Sequence, residues 1–240
     1  MKSWIFGLVA LFVLGSVVGV QSANADPILL RLSDSASGIS CTLTDGAAVA
    51  IGGCSGSDGI ALVGGISWST SIGSWAVTTD TGLGSTLLGP ASMDLSFLGM
   101  HVGPTPSTLT IEFTQTFTSP AFSGYKLGIG GTVGAGEIVT YGAFVDNSNT
   151  AFGKPASGQI GSTLVFSTPG AYSGSTSGSG GGANSPYSLT QVVTITSNGL
   201  ATSASSGDAT VDAPEPNSLV LLGMGLAGIA GALRLRSKSK

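Results

Sequence analysis

Between residues 26 and 213 the apolar positions recur at every second residue in short runs, and no window sustains the 3.6-residue period of an amphipathic helix. The clearest runs are Leu109-Thr110-Ile111-Glu112-Phe113 and Gln191-Val192-Val193-Thr194-Ile195-Thr196. Similar patterns cover Ile28–Ser33, Gly38–Thr44, Ala47–Ile51, Ile60–Val63, Ile66–Thr70, Trp75–Thr79 and Met93–Leu98. Others cover Ser107–Thr118, Tyr125–Ile129, Glu137–Val145, Thr163–Ser167 and Leu189–Ser197. Gly, Pro, Asn or Asp bound each run, as expected where strands end in tight turns. Polarity comes from Ser and Thr beside β-branched residues, while the helix formers Glu, Lys, Gln and Arg are scarce. The pattern predicts an all-β domain, a β-sandwich of jelly-roll-like form, over residues 26–200. Two segments lack strand contrast. Tyr172–Pro186 is nearly all Ser and Gly and reads as a mobile surface loop, and 201–213 reads as a linker. No fixed-period repeat argues for a solenoid or propeller.

The two ends break the pattern. Lys2 precedes the apolar stretch Trp4–Val20, and Ala23-Asn24-Ala25 places small residues where a signal peptidase reads. Residues 1–25 therefore read as a signal peptide, with Ala23 and Ala25 forming the cleavage site; an uncleaved N-terminal anchor is the alternative. At the other end Pro214-Glu215-Pro216 precedes the uncharged run Ser218–Leu233, and Arg234, Arg236, Lys238 and Lys240 follow it. The prolines exclude the triplet from a helix interior. The apolar run is slightly shorter than the roughly 17–25 residues of a spanning helix. Asn217 and the aliphatic stem of Arg234 extend it enough to cross. Basic residues stay inside, so a transmembrane helix over 218–233 leaves the body outside, with the tail as stop-transfer signal.

This order of triplet, apolar run and basic tail resembles the PEP-CTERM sorting signal of Gram-negative bacteria, recognised by exosortases. The resemblance covers residues 214–240 and makes Pro214, Glu215 and Pro216 the sorting motif; an ordinary C-terminal anchor is the alternative. The stretches TGLGSTLLGPASMDL, STLTIEFTQTFTSP and YSLTQVVTIT resemble the Gly/Thr-rich ectodomains such proteins often carry. The resemblance implies an exported, membrane-anchored precursor delivered to the cell surface or extracellular matrix, with exosortase and signal peptidase as partners. It also implies an association with exopolysaccharide, in biofilm or floc, and it supplies no catalytic residues, leaving the biochemical activity of the body unassigned.

Charge narrows the function of the body. The chain as a whole carries a formal −4. Four of its cations lie in the tail, which leaves the body Arg31, Lys126 and Lys154 against eleven carboxylates, a balance of about −8. Such a surface has no footprint for phosphate, so nucleic acid is not an expected partner. Cys41 and Cys54 are the only cysteines, and in an exported chain they predict a disulfide staple.

Candidate chemistry is sparse, and no cofactor or metal site is expected. His101 is the sole histidine and no G-x-S-x-G elbow is present, so His101 reads as a surface residue beside a turn. Glu112 should lie on the polar face of its strand, and its spacing to Glu137 does not suggest a glycosidase pair. Asp146-Asn147-Ser148-Asn149 offers oxygens to calcium but lacks the EF-hand pattern and reads as a β-turn. Gly223-Met224-Gly225-Leu226-Ala227-Gly228 matches a dinucleotide fingerprint in letters only, because no strand or acidic residue surrounds it. Its small residues fit a membrane-helix face. Trp68 and Trp75 are core candidates, with a sugar-stacking platform as the alternative. The expected protein is thus a non-enzymatic surface or matrix component. Alternatives are an anchored carbohydrate-binding module or a secreted hydrolase built on His101 or a carboxylate pair.

Overall fold

The computed structural model describes residues 28–213 apart from 89–90, 119–121 and 201. Twelve strands are present: β1 (Leu29–Asp34), β2 (Ser40–Thr44), β3 (Gly65–Ile72), β4 (Trp75–Leu83), β5 (Met93–His101) and β6 (Ser107–Phe117). They continue as β7 (Tyr125–Val133), β8 (Glu137–Asp146), β9 (Leu164–Phe166), β10 (Gly170–Gly178), β11 (Tyr187–Ser197) and β12 (Ser203–Asp212). The helical pieces among the described residues are one turn, α1 (Ser85–Leu88), and a 3-10 turn at Ala156–Gly158. No helix among these residues is long and apolar enough to cross a membrane. The signal peptide and the 218–233 helix expected from sequence lie outside the described residues.

The strands form two six-stranded antiparallel sheets, ordered β2-β1-β6-β11-β8-β9 and β10-β7-β12-β5-β4-β3. From β5 to β8, and again from β10 to β12, successive strands alternate between the sheets, so non-local pairs dominate each one. Inward residues of both sheets meet in one core containing Leu30, Leu32, Ile111, Phe113, Leu95, Phe97, Leu127, Val193 and Ile195. The period-two pattern places these residues inside because successive side chains on a strand point to opposite faces. The sheets also share a polar tie. Tyr141 Oη lies 3.1 Å from Gln191 Oε1 and 2.9 Å from the carbonyl of Thr210 in the opposite sheet.

Most expected strands form, with four departures. Ala47–Ile51 contributes only an isolated bridge from Ile51 to Thr42. Ile60–Val63 is a loop preceding β3. The supposed surface loop after Tyr172 contains most of β10, paired with β7 along its whole length. The supposed linker 201–213 is mostly β12, which lies between β5 and β7. Its inward positions are Ser203, Ser205, Gly207, Ala209 and Val211, small enough to leave almost no hydropathy contrast. Small size is required there: a Cβ on Gly207 would stand 2.4 Å from Tyr172 Oη and 2.6 Å from Phe97 Cζ.

Candidate functional site

The carboxyl end of β12 is where the body meets the sorting triplet. Asp212 closes the strand opposite Lys126 of β7, and only half-buried Ala213, packed against the core, separates it from Pro214. Pro214, Glu215, Pro216, the tail cations and the signal-peptidase residues Ala23 and Ala25 lie outside the described residues, as does the Gly223–Gly228 run. The start of β1 emerges at the same pole. Beside it, a Cβ on Gly84, at the end of β4, would lie 2.6 Å from Ile28 Cδ1.

β12 also carries one wall of a trough on the outer face of its sheet. The trough encloses about 520 Å³, with Gly128 and Gly130 as floor and Ser175, Asp208, Thr210, Asp212 and Lys126 around it. Asp94 of β5 lies across the β5–β12 pair, opposite Thr210. Burial pushes its carboxyl up, and the Asp208 carboxyl together with the charges of Asp208 and Asp212 pushes it further, to about 7. Asp94 Oδ1 is buried without a hydrogen-bond partner, so the neutral form of this carboxyl is favoured up to near neutrality. Sequence reading missed this site. Its only signals are the Asp208-x-Thr210-x-Asp212 alternation and Gly128-x-Gly130, which align through the β7–β12 register.

The residues singled out from sequence are dispersed. Glu112 does face away from Ile111 and Phe113, but it is buried rather than solvated, because residues 147–155 fold over the outer face of the first sheet. Arg31 and Lys154 both donate to its carboxylate, and the Arg31 guanidinium sits 4.1 Å above the Phe152 ring. Burial alone would raise the Glu112 carboxyl. The two hydrogen bonds and the two cationic charges outweigh it and hold the carboxyl below its usual range. Glu137 opens β8 near the opposite pole, where Ser203 and Ser205 donate to it. The two glutamates are not brought together.

His101 is fully buried, which corrects the surface expectation. Its Nδ1 lies 3.2 Å from Ser197 Oγ, and Trp75 packs edge-on with ring centroids 4.8 Å apart. Trp75 Nε1 donates to Ser107 Oγ at 3.1 Å, and Ser107 donates to Asp34. Burial favours protonation of Asp34, but bonds from Ser107, from the Ser37 side chain and from the Ser37 and Ala36 backbones leave its pKa lowered. Asp34 therefore serves a turn and Ser107 rather than the imidazole. Trp68 and Trp75 are each 1% exposed, so neither belongs to a surface stacking platform.

Two local expectations match the structure. Cys41 and Cys54 form a disulfide with Cα atoms 5.8 Å apart. Asp146–Asn149 forms a turn in which the Ser148 amide donates to Asp146 Oδ1 at 2.8 Å and the Asn149 amide to the Asp146 carbonyl at 3.1 Å.

An all-β, two-sheet body joined directly to a C-terminal signal is the class of protein these features define. The chain carries the PEP-CTERM protein-sorting motif over residues 212–236, which implies exosortase processing of an exported, surface-sorted product. No curated protein matches the chain. Among solved structures, TmCBM61 in complex with beta-1,4-galactotriose is similar at 11% identity over 58% of this chain and 88% of that one, TM-score 0.31. The glycoside hydrolase domain of Endo-D from Streptococcus pneumoniae R6 is 13% identical over 51% of this chain and 18% of that one, TM-score 0.35. The enzymatically active domain of bacteriophage CBA120 tailspike protein 4 is 13% identical over 63% and 19%, TM-score 0.33. Likenesses this distant define neither ligand nor activity.

Proposed function

We propose that this chain is a non-enzymatic surface or matrix protein, exported by its signal peptide, anchored by the 218–233 helix and processed by an exosortase at Pro214–Pro216. Its jelly-roll-like sandwich acts structurally, in association with exopolysaccharide. The sorting motif over 212–236, which begins at the last residue of β12, carries this reading. A hydroxyl-rich surface with few cations suits a hydrated matrix, because it offers hydrogen bonds without strong attraction to phosphate. Intact-mass analysis from the native host, with and without exosortase, tests it. Loss of the segment beyond the motif only when the enzyme is present is the expected result. An intact tail under both conditions reduces the protein to a membrane-anchored ectodomain and ends the sorting reading.

A second reading, a carbohydrate-binding module anchored at the surface, is favoured by the trough on the β12 sheet. Carboxylates, hydroxyls and an ammonium around a glycine floor suit the hydroxyls of a sugar, although aromatic stacking is not among the trough's contacts. Calorimetric titration with the host's own exopolysaccharide tests it. Heat that saturates in the wild type and disappears in Asp208→Asn supports binding there, and no heat removes this reading.

A further inference from the structure

Resting on the anchored-precursor reading above, we propose that the Ile60–Val63 loop, together with Leu88, is a lipid-contact surface that seats the sandwich on the membrane holding its C-terminal segment. The loop Ile60-Ala61-Leu62-Val63 is four consecutive apolar residues, with Leu62 63% and Val63 74% exposed. A continuous apolar run at a loop tip is costly in water and marks a contact surface. The exposed Val49 and Ile51 differ, since they flank buried Ala50 in a backbone tied to β2 through Thr42.

Register places the loop at the pole where the chain leaves the body. Gly65 pairs with Leu83, Leu83 with Asp94, and Thr210 with Asp94, so residues 60–64 and the end of β12 lie beyond the same level of the sheet. Hydrogen bonds from the Gly64 amide to Asp45 Oδ2 at 2.7 Å and from the Gly84 amide to the Gly64 carbonyl at 2.9 Å fix the loop's base there. α1, carrying exposed Leu88, follows at that pole. β12 and β3 are separated by two intervening strands, about 14 Å at ordinary strand spacing.

The tether then supplies the partner. Only Ala213–Asn217 separates β12 from the apolar run at Ser218, and five residues reach at most about 17 Å when fully extended. The headgroup layer alone takes roughly 5–8 Å of that span. The pole is thus held close to the bilayer throughout the precursor's life, with its apolar loop in reach of the interface. The loop contains no cation, and the charged groups bonded to its backbone are the carboxylates of Asp58, at the Ile60 amide, and Asp45, at the Gly64 amide. Insertion therefore depends on apolar burial and does not require anionic lipid.

The test uses the full chain reconstituted in phosphatidylcholine vesicles containing brominated lipid, comparing Leu62→Trp with Val102→Trp at the opposite pole. The expected result is blue-shifted, bromolipid-quenched emission for Leu62→Trp above the wild-type background, and an unquenched signal for Val102→Trp. In the unsubstituted chain, amide exchange over residues 60–64 should slow on vesicles. Equal behaviour of the two variants, with the chain still floating with vesicles, overturns the proposal and leaves anchoring intact. A chain that does not float overturns both. Crosslinking of residue 62 to exosortase, without quenching in lipid, overturns the lipid assignment in favour of a protein contact.

Discussion

The outer faces of the two sheets handle charge in opposite ways. On the first, residues 147–155 close over Glu112, and Lys154 of that segment joins Arg31 of β1, so two of the body's three cations meet one carboxylate. On the second, Asp208 and Asp212 border an open, glycine-floored trough with Lys126 as the one cation lining it, and Asp94 lies beside them on the neighbouring strand β5. Burial penalises an ionised group on either face, and the sign of the neighbours decides the outcome. Cations make Glu112 a stronger acid, whereas carboxylates make Asp94 a weaker one. An overall negative charge thus conceals one matched face and one frustrated face.

Removing the matched carboxylate should give the largest effect. Glu112→Gln leaves Arg31 and Lys154 facing a neutral amide beneath the loop and should cost about 2–3 kcal/mol, read from urea unfolding at pH 7. The loss should shrink on acidification. Glu112 has a lowered folded pKa, so its contribution is present above the unfolded value near 4.5 and is lost as pH falls through the folded one. A destabilisation that stays constant down to pH 2 would refute the charge argument.

Asp94→Asn should act with the opposite sign. A raised folded pKa makes the wild-type contribution complete below the unfolded value of 3.8 and lost as pH rises through about 7. The amide should therefore stabilise the protein at pH 8 by about 1–2 kcal/mol, an allowance that discounts the shift for solvent screening. The gain should vanish by pH 4. Thermal unfolding at the two pH values measures both limbs, and equal shifts at both would break the contrast between the faces.

The smallest expected effect on stability comes from filling the trough. A Cβ at Gly130 meets only ordinary contacts, 3.6 Å from the Tyr172 carbonyl and 3.9 Å from Ser173 Cβ. Gly130→Thr should change stability by no more than about 0.5 kcal/mol. It should nevertheless abolish any saturable sugar heat measured for the wild type. Unchanged sugar binding would move the binding surface off this face.

Legibility followed the amplitude of the local pattern. β6 and β11 alternate large apolar residues with Thr, and their inward sets are recognisable without a partner strand. β12 alternates equally well, but with Ser, Gly and Ala inside, so 201–213 resembled a linker until β5 and β7 were seen on either side. β10 was hidden in the same way by Ser and Gly. Ile60–Val63 shows the converse, since an apolar tetrapeptide that reads as a strand is an exposed loop.

The sequence by itself determined the all-β class, the disulfide partners and the sorting motif, because each depends on nearest-neighbour pattern, on there being only two cysteines, or on a contiguous string. Tertiary structure alone decided that Glu112 is clamped by Arg31 and Lys154, that His101 and both body tryptophans are buried, and that Asp94 meets Asp208. Those outcomes depend on strands distant in the chain lying side by side, and on a loop closing over one sheet while leaving the other open. Burial and Coulomb energy are set by such neighbours in space, which the order of residues along the chain does not display.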